Sequence, residues 1–252
     1  MMRKERYLSG IVTAIDSCAQ PQPTRTIICG DAFDFLQKPL PSHAALITSL
    51  PDISEVPGLD NWQQWFIDAA IACCRAVADE SVAIFYQTDI KRAGVWVDKS
   101  YLVMRAAEAA GAALLWHKIV CRVAPGTTTF GRPAYSHMLC VSRKLRVSPA
   151  HATPDVLPEL GHMPWVRAMG QAACTAAVTF ARIHAHATTI VDPFCGYGTV
   201  LAVANDMGLD GIGVELSRRR AKKAQRLQLG TSWRHAPELG TDASGGEARA
   251  KP

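Results

Sequence analysis

Short apolar runs alternate with longer segments of helical periodicity along most of the chain. The apolar runs predict strands at residues 26–29, 44–48, 81–86, 113–120, 137–141, 188–191 and 211–214. Segments with apolar residues at helical spacing predict helices at 61–78, 99–110, 164–184, 198–208 and 217–228. This alternation is typical of a doubly wound α/β fold whose mostly parallel sheet here has seven strands.

The two ends of the chain differ from this alternating region. Residues 1–24 finish in a Pro-Gln-Pro stretch that is typical of a linker, and residues 231–252 are polar and rich in glycine. We therefore predict an N-terminal extension at 1–24, one domain at 25–230 and a disordered tail at 231–252. Since 48% of the 252 residues are hydrophobic, that domain can bury a large core.

Several other classes of protein are excluded by the same pattern. No apolar run approaches the roughly 18 residues that a membrane span requires. The basic N-terminus lacks the apolar stretch of a secretory signal. The eight cysteines form no C-x-x-C pair, so the sequence predicts no metal site and favours reduced thiols in a cytoplasmic protein.

The segment from Val191 to Thr199, with the sequence VDPFCGYGT, joins a predicted strand to a predicted helix through a glycine-rich turn. Glycines in such a turn let a ligand approach the backbone closely. Glu215 ends the next predicted strand, where a carboxylate can accept hydrogen bonds from both hydroxyls of a ribose. The pattern fits NAD or S-adenosylmethionine, or a structural turn that binds nothing.

Two details favour S-adenosylmethionine over a dinucleotide. The third glycine of a G-x-G-x-x-G turn is replaced by Leu201. Asp192 stands just before the turn, where its carboxylate would repel a pyrophosphate at the helix N-terminus. The same carboxylate would attract the ammonium group of S-adenosylmethionine, which carries no phosphate.

The residues from Asp192 to Thr199 resemble the D-P-F-x-G-x-G-T motif of amino-methyltransferases that act on nucleic-acid bases. They resemble in particular the permuted, beta-class-like members, in which the catalytic motif precedes the cofactor motif. The segments 28–31, 48–51, 161–165 and 212–215 resemble that family's other motifs in the same order. The resemblance spans about residues 26–228 and implies a Rossmann-like sheet with the strands at 188 and 212 in its centre.

The resemblance also implies a site at the carboxyl ends of the central strands. Asp31 would contact the adenine amine of the cofactor, and Glu215 would bind its ribose. The other cofactor-binding residues that it implies are Thr48, Asp192, Pro193, Phe194, Gly196, Gly198 and Thr199. The implied catalytic residues are Ser49, Pro51 and Asp52.

The catalytic loop departs from the family pattern at two positions. In the family, its first side chain and a backbone carbonyl accept from an exocyclic amine, and an aromatic residue stacks on the extruded base. Here Leu50 replaces the first proline, and Asp52 replaces the aromatic residue. Asp52 therefore has two interpretations. Either it accepts a proton or an N–H of a guanine-like edge or ring nitrogen, or it caps the following helical turn.

The net charge of +5 is too small to identify a partner, but its distribution is informative. Residues 109–154 contain no Asp or Glu, and residues 125–137 combine basic, hydroxyl and aromatic side chains suited to phosphate and base contacts. The candidate substrate-binding residues are Arg132, Tyr135, His137 and Lys144. A second basic segment covers residues 217–228.

The sequence thus predicts an S-adenosylmethionine-dependent methyltransferase of a nucleic-acid base. RNA is favoured over DNA, because few residues remain for a separate domain that would read a duplex. A small-molecule or protein methyltransferase and a non-catalytic cofactor- or RNA-binding module are the alternatives.

Overall fold

Six α-helices and ten strands make up the part of the chain that the structure, a computed structural model, describes: residues 22–56, 58–165 and 167–230. The helices are α1 (Ala32–Leu36), α2 (Trp62–Ala76), α3 (Lys99–Ala109), α4 (Gln171–His184), α5 (Thr199–Asp206) and α6 (Arg218–Arg226). The strands are β1 (Arg25–Cys29), β2 (Ala44–Thr48), β3 (Ala83–Gln87), β4 (Ile90–Arg92), β5 (Val95–Val97), β6 (Ala113–Cys121), β7 (Tyr135–Ser142), β8 (Val156–Leu157), β9 (Thr189–Asp192) and β10 (Asp210–Glu215). Nearly all of the predicted extension and the whole predicted tail lie outside the described residues.

Eight strands form one sheet in the order β1-β10-β9-β2-β3-β7-β6-β8. The strands from β1 to β3 in that order are parallel, whereas β7 runs antiparallel to both β3 and β6. Seven of the eight are the predicted strands, and the two-residue strand β8 is the addition. The order confirms the permuted neighbours, because β1 pairs beyond β10 and β2 lies on the other side of β9. The predicted central position of β9 and β10 was wrong: β10 lies next to the edge strand β1, and β2 and β3 occupy the middle of the sheet because β7, β6 and β8 extend it on the far side.

The sheet separates two apolar cores, because successive residues of a strand point to opposite faces. In β2, Ala45 and Ile47 pack in the core that contains α4 and α5, while Leu46 packs in the core that contains α2 and α3. All five residues of β2 and all five of β3 are buried. Burial on both faces explains why these strands are continuous apolar runs in the sequence.

Helix α4 begins at Gln171, seven residues later than the predicted start at 164. Gly170 precedes it with an extended backbone (φ −65°, ψ 148°). An added Cβ atom at Gly170 would lie 2.0 Å from the carbonyl oxygen of Leu160, so the chain crosses itself closely there. This crossing keeps residues 161–165 and 167–170 irregular, although their apolar pattern resembles that of the helix.

Gly213 in the centre of β10 lies where helix α5 packs closely on the sheet. A Cβ atom there would lie 2.6 Å from Leu201 of α5, 2.8 Å from the sulfur of Cys195 and 2.8 Å from Ile27 of β1. A side chain at this position would push α5 away from the strand. The glycine therefore holds the turn between β9 and α5 close to the end of β10.

Three further observations concern the predicted N-terminal extension, the cysteines and membrane-spanning helices. Thr24, which the sequence assigns to the extension, donates to Asp210 from its backbone nitrogen at 2.7 Å and from Oγ1 at 2.8 Å. The seven described cysteines are free thiols, and six of them are buried. No helix in the described ranges is long and apolar enough to cross a membrane.

Candidate active site

Two adjoining cavities open at the carboxyl ends of the parallel strands. The large cavity encloses about 630 Å³ and is lined by residues that follow β1, β2, β9 and β10. The small cavity encloses about 80 Å³ and is lined by residues at the ends of β2 and β3. Ser49 and Leu50 line both cavities, so the predicted catalytic loop forms the boundary between them.

Three carboxylates line the large cavity at the ends of β1, β9 and β10: Asp31, Asp192 and Glu215. Asp31 is exposed, and its Oδ1 accepts from the backbone N–H of Phe33 at 2.7 Å, which caps α1. Glu215 is 6% exposed, and its Oε1 accepts from the backbone N–H of Ser217 at 2.7 Å. Parallel pairing brings these acids together although they are far apart in sequence.

Two hydrogen bonds, one from the end of β2 and one from the glycine-rich turn, hold the carboxylate of Asp192 in place. The hydroxyl of Thr48 donates to its Oδ1 at 2.7 Å, and the backbone N–H of Phe194 donates to the same oxygen at 3.1 Å. Burial raises the pKa of Asp192 to about 7, the two hydrogen bonds oppose that rise, and the charge of Glu215 adds to it. Thr48 is fully buried, and its hydroxyl group fixes the position of the Asp192 carboxylate.

The glycine-rich turn forms one wall of the large cavity, to which Pro193, Phe194, Gly196 and Thr199 contribute. Gly196 and Gly198 have φ values of +55° and +79°, a conformation that side chains disfavour. At Gly198 an added Cβ atom would lie 3.0 Å from the Cβ of Ala224, so this glycine lets α6 pack on the turn.

Thr199 supplies an independent indication of a ligand. Its Oγ1 is buried at the cavity wall and has no hydrogen-bond partner among the described residues. Buried hydroxyl groups nearly always have such a partner. A polar group in the large cavity would satisfy this atom.

An aromatic wall, which the sequence did not indicate, completes the large cavity. Trp65 of α2 packs edge-on against Phe33 of α1 and against Phe194, with ring centroids 6.0 Å apart in both pairs. On the opposite loop, the rings of Trp165 and Tyr197 meet edge-on at 4.4 Å. Helical spacing gives Trp65 the pattern of a core residue, and only the strand order brings α1 and α2 to this cavity.

The predicted catalytic residues lie where the two cavities meet. Ser49 lines both cavities and Pro51 lines the large one. The carbonyl oxygen of Pro51 accepts from Nε1 of Trp62 at 3.3 Å, which ties the loop to α2. Above the loop, Glu55 and Arg167 line both cavities and form an ion pair at 3.5 Å.

Asp52 combines features of both sequence interpretations with a contact that neither included. It precedes a short 3₁₀ turn, and its backbone N–H donates to the Glu55 carboxylate at 3.0 Å, as in a helix cap. Its own carboxylate lines the small cavity and forms an ion pair with Lys99 at the start of α3. Lys99 is 2% exposed.

The electrostatic balance of this ion pair depends on both partners. Burial lowers the pKa of Lys99, and the nearby charge of Arg132 lowers it further. The Asp52 carboxylate acts in the opposite direction, because it stabilises the ammonium form. Removing either partner would leave the other charged group poorly compensated in the protein.

Of the four predicted substrate-binding residues, Arg132 lines a cavity, and that cavity is the small one. His137 is 6% exposed; its Nε2 lies 3.0 Å from Asp89 and its Nδ1 lies 2.9 Å from His117. The ring of Tyr135 packs edge-on against His137 at 5.2 Å. His137 and Tyr135 thus support the wall behind the small cavity.

Lys144 lies far from Arg132, which corrects the predicted grouping of the two. Because β7 runs antiparallel to β3, its first residue lies at the cavity edge of the sheet and its last residue at the opposite edge. Lys144 follows that last residue, and its Nζ pairs with Asp79 at 2.7 Å. The sequence could not separate these positions without knowing the direction of β7.

Three residues near the small cavity could offer ligand atoms to a metal ion. Single atoms of Asp89, Asp98 and His137 lie within 4.8 Å of one another. These groups already have partners: Asp89 accepts from the backbone N–H of Lys99 at 2.8 Å, and Asp98 caps α3 by accepting from Tyr101 at 3.0 Å. Nε1 of Trp96 in β5 also donates to Asp89 at 2.9 Å, so the cluster supports the start of α3 and the β4–β5 hairpin.

Similar folds occur among solved methyltransferase structures. TTHA0409 of Thermus thermophilus, a proposed DNA modification methylase solved with S-adenosylmethionine, has a TM-score of 0.63 and 16% identity over 81% of this chain and 92% of its own. M1.HpyAVI, also solved with S-adenosylmethionine, has a TM-score of 0.57 and 15% identity over 81% and 98%. The cytosine-N4-specific PvuII DNA methyltransferase has a TM-score of 0.60 and 14% identity over 81% and 87%.

No family model and no curated protein matches the sequence. The structural neighbours show that the chain has the Rossmann-like methyltransferase fold, as the resemblance implied. At 14–17% identity they show the fold alone, so the activity is argued from the site.

Proposed function

We propose that this protein is an S-adenosylmethionine-dependent methyltransferase that modifies an amino group of a nucleic-acid base, and that residues 25–230 carry the activity. One observation supports this most directly. A large cavity with three carboxylates and an unpartnered buried hydroxyl adjoins a small polar cavity through the Ser49–Leu50 boundary. A cofactor in the first cavity and a base in the second would meet at that boundary.

The residues of the large cavity fit the three parts of S-adenosylmethionine. Asp31 and the aromatic wall of Phe33, Trp65 and Phe194 suit the adenine, and Glu215 suits the ribose hydroxyls. Asp192 and the Thr199 hydroxyl suit the ammonium and carboxylate of the amino-acid part. When bound, the sulfonium of this cofactor supplies an electrophilic methyl group.

The catalytic loop would then prepare the amine. The Ser49 hydroxyl and the Leu50 carbonyl are the groups proposed to accept its N–H bonds, so that the nitrogen lone pair faces the methyl carbon. As the new N–C bond forms and the C–S bond breaks, the nitrogen must release one proton. The Asp52 carboxylate, exposed for 26% of its side chain and paired with Lys99, is the proposed proton acceptor.

DNA is now the favoured substrate, ahead of the RNA that the sequence favoured. Two of the structural neighbours named above are described as DNA-modifying proteins. The match covers 92% of one chain and 87% of the other, so the fold described above makes up most of both neighbours. Arg122 and Arg132, which line the small cavity, suit the phosphates of either nucleic acid.

The proposal is tested by comparing cells that contain the protein with cells that lack it. Total DNA and total RNA from both are digested to nucleosides and analysed by mass spectrometry, with a Ser49→Ala variant as the inactive control. A methylated base present only with the active protein supports the proposal. Cofactor binding without any methylated base in either pool would favour the non-catalytic module, and turnover on a small molecule or protein would favour the other alternative.

A further inference from the structure

The small cavity contains an unpaired hydrogen-bond donor that the proposed reaction has not used. Gln87 ends β3 and lines this cavity, and it is 1% exposed. Its side-chain nitrogen has no hydrogen-bond partner among the described residues. Because a buried amide without a partner destabilises the folded protein, the unpaired nitrogen points to a ligand that would complete it.

The small cavity is lined by both hydrogen-bond acceptors and hydrogen-bond donors. Ser49, at the boundary with the large cavity, and Asp52, in the small cavity, can accept hydrogen bonds from a ligand. Gln87 of β3 and Lys99 of α3, whose ammonium group also pairs with Asp52, supply donors to the same cavity. A base bound here would thus present an amine to the catalytic loop and acceptors to Gln87 and Lys99.

We propose that the small cavity recognises the amine, ring-nitrogen and carbonyl edge of cytosine, with the Gln87 amide donating to the carbonyl oxygen. This inference rests on the proposed function and names its substrate base. Adenine presents an amine and a ring nitrogen followed by a C–H group, which would leave the Gln87 donor unpaired. Guanine presents a ring N–H where Lys99 offers a donor, so two donors would face each other.

The size and walls of the cavity agree with a single-ring base. Its volume of about 80 Å³ is small beside the 630 Å³ of the neighbouring cavity. Leu160, Met163 and Tyr86 supply apolar and aromatic surface for the faces of a ring, which compensates for the aromatic residue missing from the catalytic loop.

The identity of the methylated base tests the inference directly. The purified full chain is incubated with isotopically labelled S-adenosylmethionine and two random oligonucleotide pools, one without adenine and one without cytosine, as DNA and as RNA. Methylcytosine in the first pool and no methylated base in the second is the expected result. Methyladenine or methylguanine without methylcytosine overturns the inference and leaves the proposed function standing. No methylated base in any pool overturns the proposed function, and the inference with it.

Gln87→Glu provides the second test, because it keeps the shape of the side chain and replaces the donor with an acceptor. We expect it to lower kcat/KM on cytosine-containing oligonucleotides at least ~10-fold, since a lone pair would face the carbonyl oxygen. Cofactor affinity, measured by calorimetry, stays unchanged. Gln171→Glu is the matched control: Gln171 is also buried with an unpaired side-chain atom but lines neither cavity.

The two variants are interpreted only together with their thermal unfolding. A folded Gln87→Glu protein that retains wild-type kcat/KM overturns the role of the amide. An unfolded Gln87→Glu protein is replaced by Gln87→Leu, for which the same loss of kcat/KM and the same unchanged cofactor affinity are expected. Equal losses in the Gln87 and Gln171 variants would also overturn the inference, because a general effect of buried glutamines would explain both.

Discussion

At the scale of single residues, the buried Asp192 makes cofactor affinity depend on pH. Burial raises its pKa to about 7 in the protein without ligand, so the carboxyl is mostly neutral below that pH. An ammonium group beside it favours the ionised form, and binding therefore releases a proton in acidic solution. We expect the affinity for S-adenosylmethionine to fall roughly 20-fold between pH about 7.5 and about 5.5.

Isothermal titration calorimetry in two buffers of different ionisation enthalpy measures both the affinity and the proton release. Asp192→Asn is the control, because it keeps the hydrogen bond from Thr48 and removes the charge. Its affinity is expected to be weaker at neutral pH and nearly independent of pH over that range. A wild-type affinity that does not change with pH would disprove the contact between Asp192 and the ammonium group.

Glu215 gives a second prediction at this scale. Its Oε1 accepts from Ser217 and from Arg220 at 2.7 and 2.9 Å, and its carboxylate lines the large cavity. Glu215→Ala removes the proposed ribose acceptors and should weaken cofactor binding about 10- to 100-fold by calorimetry. Arg220→Ala separates the two roles, because it breaks the ion pair but keeps the carboxylate. Unchanged affinity in Glu215→Ala would exclude the proposed ribose contact.

The sequence predicts which residues lie at the ends of the strands, but it does not predict which side chains from other elements join them at the site. Asp31, Asp192 and Glu215 each follow an apolar run, so their common edge follows from parallel pairing alone. Lys99 and Gln87 carry no motif, and they reach the small cavity through the positions of α3 and β3. Side-chain contacts between elements depend on packing that hydrophobic periodicity does not encode.

At the scale of elements, the connection between β6 and β7 lies at the cavity edge of the sheet. It contains Arg132, which lines the small cavity, and no acidic residue. Arg132→Ala should weaken DNA binding and reduce the slope of log affinity against log salt by about one. Fluorescence anisotropy over a salt series measures both quantities. Lys144→Ala is the matched control at the opposite edge of the sheet, and equal losses in both variants would contradict a localised contact.

Phe130 in the same connection is 92% exposed, the most exposed of the large hydrophobic residues that the structure describes. An aromatic ring beside a basic surface suits stacking on an unpaired base, which is worth about 1–3 kcal/mol. Phe130→Ala should therefore weaken binding of single-stranded oligonucleotides by roughly 5-fold or more. Ile183→Ala on α4, where the side chain is 53% exposed, is the control. Identical affinities of Phe130→Ala and the wild type would show that the ring makes no such contact.

The observed bounds of helices and strands agree with the predicted ones where the hydrophobic pattern and the packing indicate the same residues. Strand β2 was predicted with its observed bounds, because burial on both faces makes it a continuous apolar run. The start of α4 was misplaced, because the crossing of Gly170 over Leu160 is a contact between segments. Helix α1, with five residues, is too short to show a helical period.

At the scale of the whole molecule, the large cavity joins parts of the chain that are far apart in sequence. Its walls come from the regions after β1, β2, β9 and β10, together with α2. The permuted strand order makes them neighbours, and the order of the motifs in the sequence was sufficient to predict this arrangement. A ligand in the cavity would contact residues near the beginning and near the end of the described domain at the same time.

Such a ligand should stabilise the entire fold, because it binds the assembled cavity and not the unfolded chain. At a concentration about 100 times its Kd, S-adenosylmethionine would add about 2.7 kcal/mol to the free energy of unfolding. For a chain of this size, that corresponds to a rise in Tm of about 5–10 °C in differential scanning calorimetry. Glu215→Ala should show a smaller rise at the same concentration, and Lys144→Ala the full rise. A wild-type Tm that does not change with cofactor concentration would refute binding at this cavity, because the stabilisation follows from mass action alone.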